Sequence, residues 1–350
     1  IYFGHTGLSI SIPGQDNIVF DYGTFSFSES FYHDFIFGLL YYTVSETYES
    51  WRIDEFISED RTTTRLPLDL SPEAKHGVLA FLSENIQPEN RTYLYHYYKD
   101  NCATRIRDIY NSAEGGGFRE WAESIDTGKS YRDWSTPYMS PSLFFALFLN
   151  YLQGPEIDTP INLYQACFLP DVLERTISEY EGAEPELIYQ TRTRKPTPDS
   201  YFLEARAAAV GAIAAAAIML TASRRKWIRR TGDILSAFIY IALAVMSSIL
   251  VFMMFFTNHD VTYMNINALI ISPLLFIPGI LHAVSIWKEK RRAIALSSSI
   301  LLIIAILALL FQIVTPFHQN NASYYIIALM IYASDAISAR CAFRLRPSKR

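Results

Sequence analysis

The tripeptide Asp100-Asn101-Cys102 stands at the start of a segment with helical character, and a run of three glycines at 115–117 follows that segment. Asp and Asn favour the N-cap position, because their side chains accept hydrogen bonds from the first free backbone N–H groups of a helix. The glycine run interrupts the pattern. We therefore predict a helix from Cys102 to about Ser112, with the cysteine in its first turn.

A histidine near the start of the chain lies in a segment of alternating polarity. Phe3–Ile12 is rich in β-forming residues, and Asn17–Tyr22 repeats the pattern after a Pro13-Gly14 turn. Two such runs around a turn predict a β-hairpin. This hairpin would carry His5 on its first strand and Asp21 at the end of the second.

Cys102, His5 and Asp21 together form a candidate thiol site. A thiolate is the nucleophilic form of cysteine, and a helix N-terminus stabilises its negative charge. His5 is the candidate base, and Asp21 is placed to bond the far ring nitrogen and set the tautomer. The backbone N–H groups of residues 102 and 103 are candidates for stabilising an oxyanion.

Two structural interpretations compete with catalysis by this cysteine. Cys102 would be a buried packing residue in the first. In the second it forms a disulfide with Cys167, which an oxidising compartment would permit. The chain has only three cysteines, too few for a disulfide framework.

Composition divides the 350-residue chain near residue 200. We predict domains at residues 1–198 and 199–350, because the first part is acidic and aromatic and the second is dominated by aliphatic residues. No basic patch with interleaved aromatic residues is present in the first part, which argues against a nucleic-acid partner. The sequence also contains no metal-ligand spacing and no phosphate-binding glycine loop, so we expect no metal and no cofactor.

The second part contains five apolar stretches long enough to cross a membrane. They are Leu203–Thr221, Leu235–Phe256, Ile266–Ile286, Ala293–Val314 and Tyr324–Ala339.

Basic residues between these stretches predict the orientation of the chain. They cluster at 224–230, at 288–292 and after residue 339, whereas Asn258–Asn265 and Thr315–Ser323 contain no Lys or Arg. Basic loops remain in the cytoplasm, so an odd number of spans places the N-terminal domain outside it. Such a domain requires a leader peptide, which we expect to have been removed or to precede the first residue.

Several polar residues near the predicted thiol or on the outer loops are candidates for substrate binding. Arg105 is a candidate phosphate ligand, and Asn101 adjoins the thiol. The loop containing His259, Asn265 and Asn267 would frame a lipid head group, although an ordinary solvated connection is the alternative.

Asp335 lies inside the fifth apolar stretch, where a charge is costly. One interpretation is a functional carboxylate. The interpretation that we favour is a residue near the span end that reaches the interface or pairs with Arg340.

The motifs of the chain resemble those of a known family. They are Phe3-Gly4-His5-Thr6, Asp21-Tyr22-Gly23, the stretch from Asp100-Asn101-Cys102 to Asp108, Phe168-Leu169-Pro170, and the 259–267 loop that leads into Ile271-Ser272-Pro273. This set resembles the Lnb lipoprotein N-acyltransferases of Bacteroidota. The resemblance implies an α+β domain with a circularly permuted papain-like (NlpC-type) fold, in which His precedes Cys, followed by an all-α bundle of five transmembrane helices.

The resemblance also implies an activity. An acyl chain would move from a membrane phospholipid to the free α-amine of a lipoprotein's N-terminal diacylglyceryl-cysteine, in the bacterial inner membrane. Cys102 would be the nucleophile that forms an acyl-thioester, and His5 the base. Five spans exceed what a tether needs, which favours lipid chemistry.

Two other functions remain open at this point. The fold alone would allow a membrane-anchored cysteine peptidase or amidase acting on peptidoglycan peptides. A non-enzymatic scaffold is the third possibility.

Overall fold

The computed structural model describes residues 3–25, 30–198 and 201–344. The chain forms two compact units, Ile1–Pro141 with Thr159–Asp199, and Ser142–Asp158 with Ser200–Arg350. The first is an α+β unit and the second is helical, which confirms the predicted fold class.

The first unit contains one antiparallel sheet of four strands, in the order β1-β2-β3-β5, and two small ladders that pair β4 with β8 and β6 with β7. The strands are β1 (Gly7–Ile10), β2 (Ile18–Thr24), β3 (Tyr41–Tyr48), β4 (Thr63–Arg65), β5 (Thr92–Leu94), β6 (Asp126–Ser130), β7 (Pro160–Asn162) and β8 (Glu186–Tyr189).

Helices pack around these strands. The helices of the first unit are α1 (Phe31–Phe37), α2 (Glu49–Ser58), α3 (Pro72–Asn85), α4 (Cys102–Ala113), α5 (Gly117–Glu123), α6 (Tyr131–Ser135), α8 (Leu163–Ala166) and α9 (Pro170–Glu181), whereas α7 (Leu143–Leu152) belongs to the second unit. A 3-10 turn at Thr136–Met139 follows α6.

The predicted hairpin is confirmed. In the ladder of β1 and β2, Gly7 lies opposite Asp21 and Ile10 lies opposite Ile18. The first strand is shorter than predicted, so His5 lies just before β1 rather than within it. Gly7 is required opposite Asp21, because a β-carbon at this position would lie 2.8 Å from Asp21 Oδ1. The carboxylate therefore occupies the space that another residue's side chain would fill.

The second unit contains the apolar helices of the chain. After α7 they are α10 (Leu203–Met219), α11 (Lys226–Phe256), α12 (Asn267–Ile270), α13 (Phe276–Ser285), α14 (Arg291–Val314) and α15 (Ala322–Arg344), with 3-10 turns at Pro155–Asp158, Leu220–Ala222, Asp260–Thr262 and Pro273–Leu275.

Five helical segments of the described chain are long and apolar enough to cross a membrane, as predicted. They are Leu203–Ala222, Lys226–Phe256, Asn267–Ser285, Arg291–Val314 and Ala322–Cys341.

The third span is interrupted at Ile271-Ser272, where the backbone is extended before the Pro273 turn. Proline disfavours a helical conformation in the residue before it, and the carbonyls released by the break need other donors inside a membrane. Two buried tyrosines supply them. Tyr151 Oη donates to the carbonyl of Ile271 and Tyr332 Oη donates to that of Ile270, each at 2.8 Å.

Helix α7 belongs to the membrane unit, although its sequence position places it in the predicted first domain. Tyr151 at its end is fully buried and bonds to the third span as described above. The backbone N–H of Gly154 then donates to the carbonyl of Val261 at 2.7 Å. Because α7 is shorter than a membrane span, its length and composition do not reveal this association.

A buried ionic network connects four of the helices. His282 on α13 lies with Nδ1 3.0 Å from Asp233 Oδ1 on α11, and with Nε2 3.0 Å from Asp335 Oδ1 on α15. Arg291 on α14 binds both oxygens of Asp233, at 2.8 and 2.6 Å. All four side chains are buried, so the two carboxylates are compensated by neighbouring groups instead of by water.

The favoured interpretation of Asp335 is therefore wrong. Its second oxygen accepts hydrogen bonds from Ser298 at 2.5 Å and Tyr240 at 3.0 Å, and the guanidinium of Arg340 donates to Ser299 instead. The sequence separation of 53 residues between Asp335 and His282 conceals this pairing.

Replacing His282 with Leu is expected to destabilise the protein by about 3–5 kcal/mol, because both carboxylates would lose a buried partner. The measurement is the apparent Tm of the detergent-purified protein. His318→Leu is the matched control, since His318 is exposed in the same unit. An unchanged Tm for His282→Leu would contradict a stabilising role for the network.

Candidate active site

Helix α4 begins at Cys102, as predicted, and Asn101 is its N-cap. Asn101 Oδ1 accepts hydrogen bonds from the backbone N–H groups of Ala103 and Thr104, both at 2.9 Å. Thr104 Oγ1 in turn accepts from the N–H of Asn101 at 2.7 Å. This reciprocal pair forms a capping box and holds Cys102 in the first helical turn.

The amide group of Asn101 also ties the helix start to two other segments. Its Nδ2 donates to the carbonyl of Tyr97 at 3.0 Å and to that of Phe168 at 2.9 Å. Protein atoms thus occupy both donor positions of this buried amide. The structure gives Asn101 a positioning role, and its assignment to substrate binding stays a prediction.

His5 and Asp21 lie beside Cys102, as predicted. His5 Nε2 is 2.8 Å from Asp21 Oδ1, and the ring also hydrogen-bonds to the thiol of Cys102. Asp21 is buried, whereas a quarter of the His5 side chain remains exposed. With Nε2 held by the carboxylate, Nδ1 is the ring nitrogen available to the sulfur.

Arg52 completes this row of side chains and was not predicted. From α2, its Nε and NH2 groups lie 2.8 and 2.7 Å from Asp21 Oδ2. An ionised carboxylate as buried as Asp21 needs such a partner, because removing its charge from water is costly. No motif or spacing around Arg52 indicates this role, which depends on α2 packing against the hairpin.

Cys102 and His5 favour the ionised pair. Burial alone would raise the pKa of the Cys102 thiol, but the hydrogen bond and charge of His5, with the backbone N–H groups of Thr6 and Ala103, lower it below its ordinary value of 9.0. Burial alone would lower the pKa of His5, but hydrogen bonds to Asp21 and Cys102 and their charges raise it to about 9. The two shifts together favour a thiolate–imidazolium pair over two neutral groups.

The two predicted oxyanion donors differ in their availability. The N–H of Ala103 is shared between Asn101 Oδ1 and the sulfur. The N–H of Cys102 lies at the first helical position, where no intrahelical acceptor exists. The N–H of Cys102 is thus better placed than that of Ala103 to stabilise an oxyanion.

The disulfide interpretation is wrong, because Cys102 and Cys167 are both free thiols. Cys167 is buried, and its Sγ lies 3.2 Å from the carbonyl oxygen of Leu163. Burial raises the pKa of Cys167 to about 11. The thiol of Cys167 is therefore harder to ionise than that of Cys102.

Arg105 lies one turn along α4, and its guanidinium already contacts Asp100 and Tyr93. Its guanidinium binds both oxygens of Asp100, at 2.5 and 2.6 Å, and lies 4.2 Å from the centre of the Tyr93 ring. About a third of the side chain remains exposed. Phosphate binding by Arg105 stays a prediction.

In the membrane unit, His259, Asn265 and Asn267 are buried, so the solvated-loop interpretation is wrong for these side chains. The amides of Asn265 and Asn267 donate to the carbonyl of Tyr151, at 2.9 and 3.0 Å. Gln319 donates to Asn265 Oδ1 at 2.7 Å. The amides of Asn265 and Asn267 thus fasten the loop to α7, and the head-group role of all three residues stays a prediction.

Across the described ranges, no group of three or more His, Cys, Asp or Glu side chains is arranged to hold a metal ion. The arrangement around Cys102 suits nucleophilic attack by an activated thiol.

An α+β unit with a polarised cysteine, in a chain that has five helices long and apolar enough to cross a membrane, defines the class as a multi-pass membrane protein. Residues 1–134 match the model of the Lnb N-terminal periplasmic domain, and residues 205–343 match that of the Lnb transmembrane domain. The chain belongs to the Lnb family, because it carries both domains in succession. Comparisons with curated proteins and with solved structures gave no significant match.

Proposed function

We propose that the protein is a lipoprotein N-acyltransferase of the bacterial inner membrane. It takes an acyl chain from a phospholipid and transfers it to the α-amine of a lipoprotein's N-terminal diacylglyceryl-cysteine. The observation that carries this proposal is the row Cys102–His5–Asp21 at the start of α4, in a chain with both Lnb domains.

The first half-reaction forms an acyl-thioester. The Cys102 thiolate attacks the carbonyl carbon of a phospholipid ester, and the carbonyl electron pair moves onto oxygen. When the tetrahedral intermediate collapses, the ester C–O bond breaks and His5 gives its proton to the departing alkoxide. The products are acyl-Cys102, a lysophospholipid and neutral His5.

The second half-reaction regenerates the ion pair. The neutral amine of the lipoprotein attacks the thioester carbonyl, and His5 accepts the proton that the amine loses. The C–S bond breaks and returns its electron pair to the sulfur. An amide, the Cys102 thiolate and the His5 imidazolium result, so each proton released in one step is used in the other.

Two features support a lipid donor over a soluble one. The five apolar helices place this chain in the membrane, where both phospholipids and immature lipoproteins reside. A thioester also has to outlive exposure to water before the amine arrives, and an acceptor held in the same membrane as the enzyme would shorten that time.

Incubating the purified enzyme with phospholipid labelled in its acyl chains, without acceptor, is expected to leave label on Cys102 that hydroxylamine releases. Peptide mass spectrometry locates the label. The matched control is Cys167→Ser, which should retain it because Cys167 lies outside the row of catalytic side chains. If label never accumulates and cell-wall substrates release free peptides instead, the peptidase or amidase interpretation replaces this one.

The pH dependence of acylation should differ from that of simple alkylation. Acylation needs the thiolate, which is lost as pH falls through the lowered pKa of Cys102, and the imidazolium, which is lost as pH rises through about 9. Alkylation by iodoacetamide needs only the thiolate. We therefore expect acyl-enzyme formation to decline above pH 9 while alkylation remains at its plateau, with both rates measured on the same preparation.

A further inference from the structure

Tyr93 on β5 carries a hydroxyl that none of the steps above uses. Within residues 3–25, 30–198 and 201–344, this oxygen is shielded from solvent and has no hydrogen-bond partner. Its ring is held in place, with the Tyr22 ring centroid at 6.1 Å and the Arg105 guanidinium at 4.2 Å. A buried polar group without a partner is costly and rare in folded proteins, so it requires an explanation.

The Tyr93 hydroxyl and Cys102 face the same small space, and Gly23 keeps that space open. Gly23 is the extra residue of a β-bulge in β2 and has a φ of +94°. A methyl group placed on its α-carbon would lie 3.9 Å from Tyr93 Oη and 4.0 Å from Cys102 Cβ. A side chain at this position would contact both the Tyr93 hydroxyl and the β-carbon of Cys102.

We propose that the Tyr93 hydroxyl is a catalytic oxyanion donor, acting with the backbone N–H of Cys102. This inference rests on the proposed function. As the sulfur forms its bond to the carbonyl carbon, the C=O electron pair moves onto oxygen and accepts a hydrogen bond from Tyr93 Oη. The phenol keeps its proton throughout, because His5 supplies the proton that the leaving oxygen takes.

The surroundings of Tyr93 suit a donor of this kind. Burial and the charges of Asp100 and Cys102 raise its pKa, so the hydroxyl stays protonated throughout the working pH range. The positive charge of Arg105, which lies over the ring, acts in the opposite direction and lowers the pKa of Tyr93. This charge makes the phenol a stronger hydrogen-bond donor than it would be without Arg105. The N–H of Ala103 is already shared with Asn101 Oδ1, so the N–H of Cys102 is the better-placed backbone donor to an oxyanion. The Tyr93 hydroxyl would be the second donor.

The test compares two reactions of one thiol in Tyr93→Phe. Acylation by labelled phospholipid passes through an oxyanion, whereas displacement on iodoacetamide does not. Loss of one oxyanion donor lowers the rate by about 10²–10³-fold, so acylation should fall by that factor while alkylation keeps its rate and pH profile. The variant should fold with an equal or higher Tm, because it removes a hydroxyl that has no partner.

Tyr22→Phe is the matched control, because it removes a neighbouring hydroxyl that donates to Asn85 Oδ1 at 2.6 Å. It should acylate at the wild-type rate. Wild-type acylation in Tyr93→Phe would overturn the inference and leave the proposed function standing. A parallel fall in alkylation would also overturn it, since Tyr93 would then act on the thiol itself. Failure of the wild type to form acyl-Cys102 would refute the proposed function and this inference together.

Discussion

Cells in which Cys102 is replaced by Ala are expected to lose N-acylation of their lipoproteins. Without the sulfur no covalent intermediate forms, and removing the nucleophile of a catalytic triad lowers the reaction rate on the order of 10⁴-fold or more. Mass spectrometry of N-terminal lipopeptides measures the loss as replacement of the N-acylated species by the free amine. Cys102→Ser should behave in the same way, because a hydroxyl stays protonated where the thiol ionises.

The controls separate chemistry from folding. Cys102→Ala should reach the membrane at wild-type abundance, since the site lies at a helix start held by Asn101 and Thr104. Cys167→Ser in the same strain should keep the lipopeptides N-acylated. Full N-acylation in Cys102→Ala cells would end the thiol mechanism.

Replacing His5 with Ala is expected to lower the rate of acyl transfer by about 10²–10⁴-fold, the usual contribution of a general acid–base residue. Both half-reactions lose their proton carrier. The pKa of the Cys102 thiol should also rise, because the effect of burial would no longer be opposed by His5. The pH profile of iodoacetamide alkylation measures this shift directly.

The matched control for His5 is His33→Ala, since His33 is an exposed histidine on α1. It should leave both acyl transfer and the alkylation profile unchanged. If His5→Ala alkylated with the wild-type pH profile, the thiol would owe its ionisation to the helix and the backbone donors alone. The ion-pair description of the site would then be wrong.

Several features could be predicted from the sequence because their causes are local. Five apolar stretches of spanning length predict five membrane helices, and all five are present. Asn101 before Cys102 predicts a capped helix start, and alternating residues around Pro13-Gly14 predict the hairpin. Each of these depends on side chains within a few positions of one another, so the printed order of residues contains the information.

The description of the thiol site needed both the sequence and the tertiary structure. Residue chemistry selected Cys102, His5 and Asp21 as candidates, and the motifs identified the family that the domain matches confirm. The partners of these residues could not be selected in this way. Arg52 reaches Asp21 only because α2 packs beside the hairpin, and the Tyr93 hydroxyl lies near the bulge at Gly23 only because β5 joins the same sheet as β2.

The membrane unit shows the same division. Hydropathy located the spans, but composition gave no sign that α7 belongs to the membrane unit, and the position of Asp335 near a span end suggested Arg340 as its partner. Asp335 instead binds His282, which neither spacing nor hydropathy indicates. Sequence alone determined which segments form the membrane helices and which cysteine begins a capped helix. Tertiary structure decided the charge partners Arg52 and His282, because a buried charge is stabilised by whichever side chain the packing brings within hydrogen-bonding distance.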